Sequence, residues 1–261
     1  MRNLSKLSVS ALLCAVSVSC SIKEPRAECP CLLAIELSDC LRYPGKVRMD
    51  AWTAASAVVS EELSRDLCDS LYEIGVPRGN LVYSVSVASG SFIRDGHELY
   101  IPDGAECGVL FAHTAALSTD CESVTDTVML HKQFSRVSVR LTGFPEECDD
   151  VSIVVSAQWN GLSLNTLTPL AGALNLNPER RDDGSWDFYL LRQGSGDVSM
   201  DIYAGGELLR CVEVGKYLEE IGFDWMSEDL DDIRIGVDHA DASVVIEIDK
   251  WIPGNVYDVE Q

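Results

Sequence analysis

The chain has 261 residues, 42 of them acidic and 20 basic, for a formal charge of −22. Hydrophobic residues make up 46% of it, which excludes a disordered acidic chain, since those are poor in apolar residues. The acid excess leaves no basic stripe to displace counterions from phosphates and no polybasic patch for anionic lipid. Nucleic acid and electrostatic membrane docking are therefore excluded as partners. The apolar content suffices for one large core or two smaller ones, and two domains of roughly 100–130 residues fit the length.

Arg2 and Lys6 form a short basic start, followed by an uncharged apolar run from Leu7 to Ser19. At about 13 residues it falls short of the roughly 20 needed to cross a bilayer, and it reads as a secretory signal over residues 1–19. The run ends in Ser17-Val18-Ser19 directly before Cys20, a lipobox-like site, although Ser17 stands where Leu is usual. Cys14 follows the bulky pair Leu12-Leu13 and fits less well; the alternative is an ordinary signal with an incidental cysteine. Lipidation of Cys20 with three acyl chains, palmitate among them, would exceed the marginal affinity of a single acyl chain and anchor the protein permanently. Loss of residues 1–19 removes two positive charges and no negative ones.

Ten cysteines are present. With Cys14 in the signal and Cys20 lipidated, Cys29, Cys31, Cys40, Cys68, Cys107, Cys121, Cys148 and Cys211 remain. An even number in an exported protein suggests disulfides, but eight cysteines allow 105 connectivities. Cys29 and Cys31 lie too close to bond each other easily. Zinc spacing is absent, so metal is not expected, and buried free thiols are the alternative.

Along the chain, residues 20–28 read as a polar tether and Cys31–Leu37 as a first strand. Lys46–Trp52 follows the Pro44-Gly45 turn as a second strand. Ser60 as N-cap, Glu61 and Glu62 in a first turn, and Leu63, Leu67 and Leu71 at four-residue spacing predict an amphipathic helix over 61–73. Strands are expected around Leu81–Val87, Glu98–Ile101 and Cys107–His113, with a hairpin turn at Asp95-Gly96. The polar stretch 118–127 reads as a linker, dividing the chain into an N-terminal domain (29–127) and a C-terminal domain (128–261).

In the second half, alternation predicts strands around Val137–Leu141, Val151–Val155, Trp186–Leu191, Val198–Ile202, Leu208–Val214, Ile233–Val237 and Val244–Ile248. Residues 215–221 fit a short helix closed by Gly222. Strands separated by turn signals, with one or two short helices, predict an all-β fold of β-sandwiches in both halves.

No catalytic motif is present: no nucleophile elbow, no HExxH and no phosphate loop. No cofactor or metal site is expected. His97, His113, His131 and His239 have no acidic or cysteine partner at ligand spacing, and edge or surface placement is the default for His131. The acidic stretch Asp224–Asp232 lacks the glycine and terminal glutamate of a calcium loop and reads as a solvated loop. Trp159, Trp186, Trp225 and Trp251 could form a sugar platform, but packing is the commoner role.

The chain resembles the FimB/Mfa-like fimbrial anchor lipoproteins of anaerobic Gram-negative bacteria. The resemblance rests on the lipid cysteine with its short tether and Cys29-Pro30, and on Val76-Pro77-Arg78-Gly79. It continues with His131-Lys132-Gln133-Phe134-Ser135-Arg136-Val137, Leu191-Arg192-Gln193, Gly222-Phe223-Asp224-Trp225, Asp229-Leu230, Asp232-Ile233 and a last strand ending at Trp251. It implies two tandem transthyretin-like (Greek-key) sandwiches on a lipid anchor at the outer membrane, with fimbrial shaft subunits as partners through donor-strand exchange. Shaft subunits of that family are cleaved after Arg or Lys. Arg26 offers such a site, yet little strand precedes it, which favours an anchor or accessory subunit. The alternative is a surface lipoprotein binding a glycan or host ligand through C-terminal-domain loops. The cysteine richness departs from the resemblance.

Overall fold

The computed structural model describes residues 29–144 and 150–253. The signal, Cys14, Cys20, Arg26, Cys148 and the tail after Pro253 lie outside them. The fold is an all-β sandwich architecture, as alternation predicts. β1 (Cys31–Glu36) buries Leu33 and Ile35, and a 3-10 turn (Ser38–Arg42) leads into β2 (Lys46–Trp52). Then come β3 (Ala57–Leu63), a second 3-10 turn (Arg65–Asp69), β4 (Leu71–Val76) and β5 (Asn80–Ala88). The hairpin β6 (Ile93–Asp95) and β7 (Glu98–Tyr100) precedes β8 (Leu110–Ser118), β9 (Ser123–Thr127) and the short β10 (His131–Lys132).

The second half begins with β11 (Phe134–Thr142), the long β12 (Val151–Ser163) and β13 (Thr168–Leu176). It continues with β14 (Trp186–Leu191), β15 (Val198–Ala204) and β16 (Glu207–Val212). Helix α1 (Val214–Glu220) precedes β17 (Asp232–Asp238) and β18 (Ser243–Asp249).

The two halves repeat one topology. A three-stranded sheet runs β4-β1-β9, and its counterpart in the second half runs β14-β11-β17-β18. In each, the first strand pairs antiparallel with one neighbour and parallel with the other. The facing sheets run β10-β8-β5-β2-β3 and β16-β15-β12, with β13 on the far edge of β12. Beyond the end of β15, β7 pairs with β12 through Leu99↔Leu162, so a hairpin from the first half completes a sheet of the second. The buried side chains of both halves form one continuous core.

Two expectations fail locally. No helix forms over 61–73. Ala57–Leu63 pairs antiparallel with β2, Leu63 is buried, and Leu67 and Leu71 stay exposed. The edge of β2 offers unpaired backbone groups, and satisfying them outweighs a helical spacing in a short segment. The Ser60 hydroxyl donates to Asp50 (2.6 Å) instead of capping a helix. Residues 118–127 are not a linker either. Ser123–Thr127 forms β9, in parallel register with β1. Its alternation is muted because it is an edge strand with little burial.

Candidate functional site

Three features stand out, and the first is structural. Several of the segments that carry the family resemblance, spread from His131 to Trp251, meet around one buried lysine. Lys132 is fully buried; its ammonium donates to the Leu230 carbonyl (2.8 Å) and pairs with Asp232 (2.5 Å). It also lies over the rings of Phe134 and Trp251, at 4.9 and 5.0 Å. The Lys132 amide donates to Asp229 (2.7 Å), the Arg136 amide to Asp232 (2.9 Å), and the Trp251 amide to Asp231 (2.7 Å). Beside it, buried Arg192 donates to the Gln133 side chain (3.1 Å) and the Trp225 carbonyl (2.7 Å). Lys132 belongs to β10, which pairs with β8, so this clasp ties the two halves together.

The acidic stretch 224–232 is solvated only in part: Asp224 and Glu228 are exposed, whereas Asp229, Asp231 and Asp232 close the clasp, because the buried cation and the open amides need acceptors. His131 is not isolated either: it faces Glu228 (3.1 Å) and Asp229 (3.4 Å). The Asp229 hydrogen bond raises its pKa. His113 contacts the Tyr83 hydroxyl (3.2 Å), and burial lowers its pKa. His97 packs edge-on against Trp52, and His239 stacks on Phe144. Trp186 and Trp225 are buried, while the Trp159 indole donates to Ser195 (3.0 Å). Among the described residues no three His, Cys, Asp or Glu side chains could hold a metal, and no helix is long and apolar enough to cross a membrane.

The second feature is a sheet edge. In the four-stranded sheet the outer edge of β17 is covered by β18, with seven residues in register. The equivalent edge of β9 has no partner strand among the described residues. Ser123, Thr125 and Thr127 are exposed along it, while Val124 and Asp126 are half-buried. Sequence reading missed this because it missed β9.

The third is a trough of about 610 Å³ on the outer face of the four-stranded sheet. Outward residues of β11 alternate with core-facing Val137 and Val139. One cross-strand row runs Asp187, Ser138, Arg234, Glu247 through all four strands. Arg136 and Arg181 approach Asp187 at 2.6 and 3.3 Å. Burial opposes ionisation of Asp187, but the Ser138 hydroxyl and the Arg136 guanidinium outweigh it and hold its carboxyl below the usual range. Arg140 and Arg234 are the most exposed cations of the trough.

The fold thus defines a two-part all-β sandwich protein in which the outer edge of β9 has no partner strand among the described residues. Neither a protein-family model nor a curated protein matches the sequence. Solved structures share its fold. The fimbrial anchor protein Mfa2 from Porphyromonas gingivalis superposes with a TM-score of 0.58 at 14% identity, covering 85% of this chain and 98% of that one. A candidate polysaccharide-binding protein from Bacteroides thetaiotaomicron gives 0.61 at 11% identity, covering 86% and 99%. A candidate adhesin from the same organism gives 0.56 at 12% identity, covering 86% and 97%.

Proposed function

We propose that the chain is an outer-membrane lipoprotein of a fimbrial system, an anchor or accessory subunit that engages other subunits by β-strand complementation. Its parts are a signal (1–19), a lipidated tether (20–28) and two sandwich units (29–127 and 128–261). The observation that carries the reading is the open edge of β9, at the position that β18 fills in the second half. An added strand there would complete a four-stranded sheet through backbone hydrogen bonds. The shared fold with a fimbrial anchor protein supports it.

The anchor role is supported by the start of the fold. β1 is the central strand of its sheet and begins at Cys31, with Leu33 and Ile35 fully buried. Cleavage after Arg26 would release no strand of the described fold. The Arg78 guanidinium donates to the Cys29 carbonyl (2.8 Å), pinning the chain close to the tether.

Purification from solubilised outer membranes tests the reading. Fimbrial subunits should co-purify, and the amides of 123–127 should gain protection from hydrogen exchange in the assembly. Unchanged exchange there would remove the β9 edge from the interface. Cys20→Ala should move the protein to the soluble periplasmic fraction.

The arginine trough favours a second reading, a surface lipoprotein that binds a glycan or host ligand. Its volume lies within the roughly 300–1,000 Å³ of small-ligand sites. Exposed Arg140 and Arg234 suit a carboxylate-bearing saccharide. A glycan array probed with wild type and the Arg140→Ala/Arg234→Ala variant tests it. Equal binding by both would discard the trough.

A further inference from the structure

Four of the cysteines meet in pairs. Cys31 opens β1, and Cys121 lies in the turn before β9; their sulfurs are 3.8 Å apart. The backbone there is already tied: the Leu32 amide donates to the Glu122 carbonyl (2.9 Å), and Leu32 is in register with Ser123. The second pair sits on the two 3-10 turns. Cys40 and Cys68 are both buried, on 3-10 turns that pack directly against each other, with the Arg65 guanidinium donating to the Cys40 carbonyl (3.4 Å). Arg65, on the second turn, holds the first one in place. Its guanidinium donates to the carbonyls of Tyr43 (3.0 Å), Leu41 (3.1 Å) and Gly45 (3.2 Å).

We propose that Cys31–Cys121 and Cys40–Cys68 are disulfides of the exported protein. Both pairs join segments that other contacts already hold together, so closing a bond needs only side-chain rotation and a small approach to the S–S length of about 2.05 Å. The first would link the central strand of the three-stranded sheet to its edge strand, across 90 residues. The second would lock the two turns that flank β2 and β3.

The pairing also separates these four from the rest. Cys107 is buried, and its thiol donates to the Gly108 carbonyl (3.1 Å). Cys211 and Cys29 are exposed, and Cys211 lies opposite Asp201 on the neighbouring strand.

Formation is thiol–disulfide exchange with a disulfide oxidant. One cysteine thiolate attacks the oxidant's disulfide and expels a thiol. The second thiolate then attacks the mixed disulfide and expels the other. The protein loses two electrons and two protons, and the oxidant is reduced to two thiols. Burial pushes the Cys40 thiol up to about 12 and raises Cys68 as well, so the native, reduced pair holds little thiolate. The exchange therefore belongs to folding, before these sulfurs are enclosed.

The test is to refold the reduced full chain in a mixture of reduced and oxidised glutathione, alkylate it under denaturing conditions and map the peptides. Trypsin with a protease that cuts before aspartate separates Cys31 from Cys40 at Asp39, and Cys107 from Cys121 at Asp120. Two crosslinked pairs are expected, 27–38 with the peptide of Cys121 and the peptide of Cys40 with that of Cys68, while Cys107 and Cys211 are alkylated. Because 27–38 also holds Cys29, the Cys29→Ser variant must keep its crosslink and Cys31→Ser must lose it. If Cys31→Ser does not fold, the Cys29→Ser map alone decides. Reduction should lower the melting temperature by on the order of 10 °C. Alkylation of all four cysteines without reductant, or crosslinks between other partners, would overturn the assignment.

Discussion

The Lys132 ammonium lies 2.5 Å from the Asp232 carboxylate, and none of the lysine side chain reaches solvent. One member of this pair belongs to the strand that closes the first half, the other to the strand that enters the core of the second. The pair therefore bridges the two halves.

Lys132→Met leaves the Asp232 carboxylate facing an apolar neighbour and opens the Leu230 carbonyl. The expected loss is roughly 3–5 kcal/mol of stability, as when one partner of a buried ion pair is removed. Adding Asp232→Asn should recover part of that loss. Denaturant unfolding of the single and double variants measures both, and equal stabilities of wild type and Lys132→Met would refute the role of the clasp.

His131 gives the clasp a pH dependence. The Asp229 hydrogen bond raises its folded pKa above the unfolded value of about 6.5. Its contribution is therefore fully present below that value and is lost as pH rises through the folded one. His113 acts in the opposite sense, because burial lowers its pKa and acid costs stability there. The informative quantity is the stability difference between wild type and His131→Gln. It should be largest in acid and fade as the pH climbs; a constant difference across pH would contradict it.

Arg94 ties the β6–β7 hairpin to the first half. It pairs at 2.5 Å with Asp50, whose side chain is buried and is also held by Ser60 at 2.6 Å and Arg48 at 3.3 Å. Arg94→Met should cost about 1–3 kcal/mol. It should also speed hydrogen exchange over residues 93–100 more than elsewhere in the chain. Uniform exchange changes would mean that the hairpin is held by β12 alone.

Gly215, in the first turn of α1, packs against backbone. A Cβ there would lie 1.5 Å from the Gly196 carbonyl oxygen, a contact that no side-chain rotation relieves. Gly215→Ala should destabilise by roughly 2–4 kcal/mol. Gly75→Ala, whose Cβ would meet only Pro30 at 3.8 Å, should stay within about 1 kcal/mol. Thermal melts of the two variants compare them directly.

Strands with one strongly buried face were legible residue by residue. The expected Lys46–Trp52 and Trp186–Leu191 coincide with β2 and β14. Segments at sheet edges were not. The helix expected over 61–73 falls on the end of β3, a 3-10 turn and the start of β4, the expected linker contains β9, and β13 carries no clear signal, because the few inward residues of these edge segments leave a weak period. The candidate site shares that limit. The β9 edge exists only through its pairing with β1, and the trough needs four strands in register to bring Arg136, Ser138, Asp187 and Arg234 onto one face.

By itself the sequence determined the all-β class, since burial of alternate residues is a local pattern written into each strand. It also supplied the pieces of the junction, though not their purpose. Only the tertiary structure decided that part of the acidic stretch closes on Lys132, that Cys31 meets Cys121 and that the outer edge of β9 has no partner strand among the described residues. Each of these depends on residues some 90 to 100 positions apart. Local propensity cannot specify such contacts; they follow from sheet order and register.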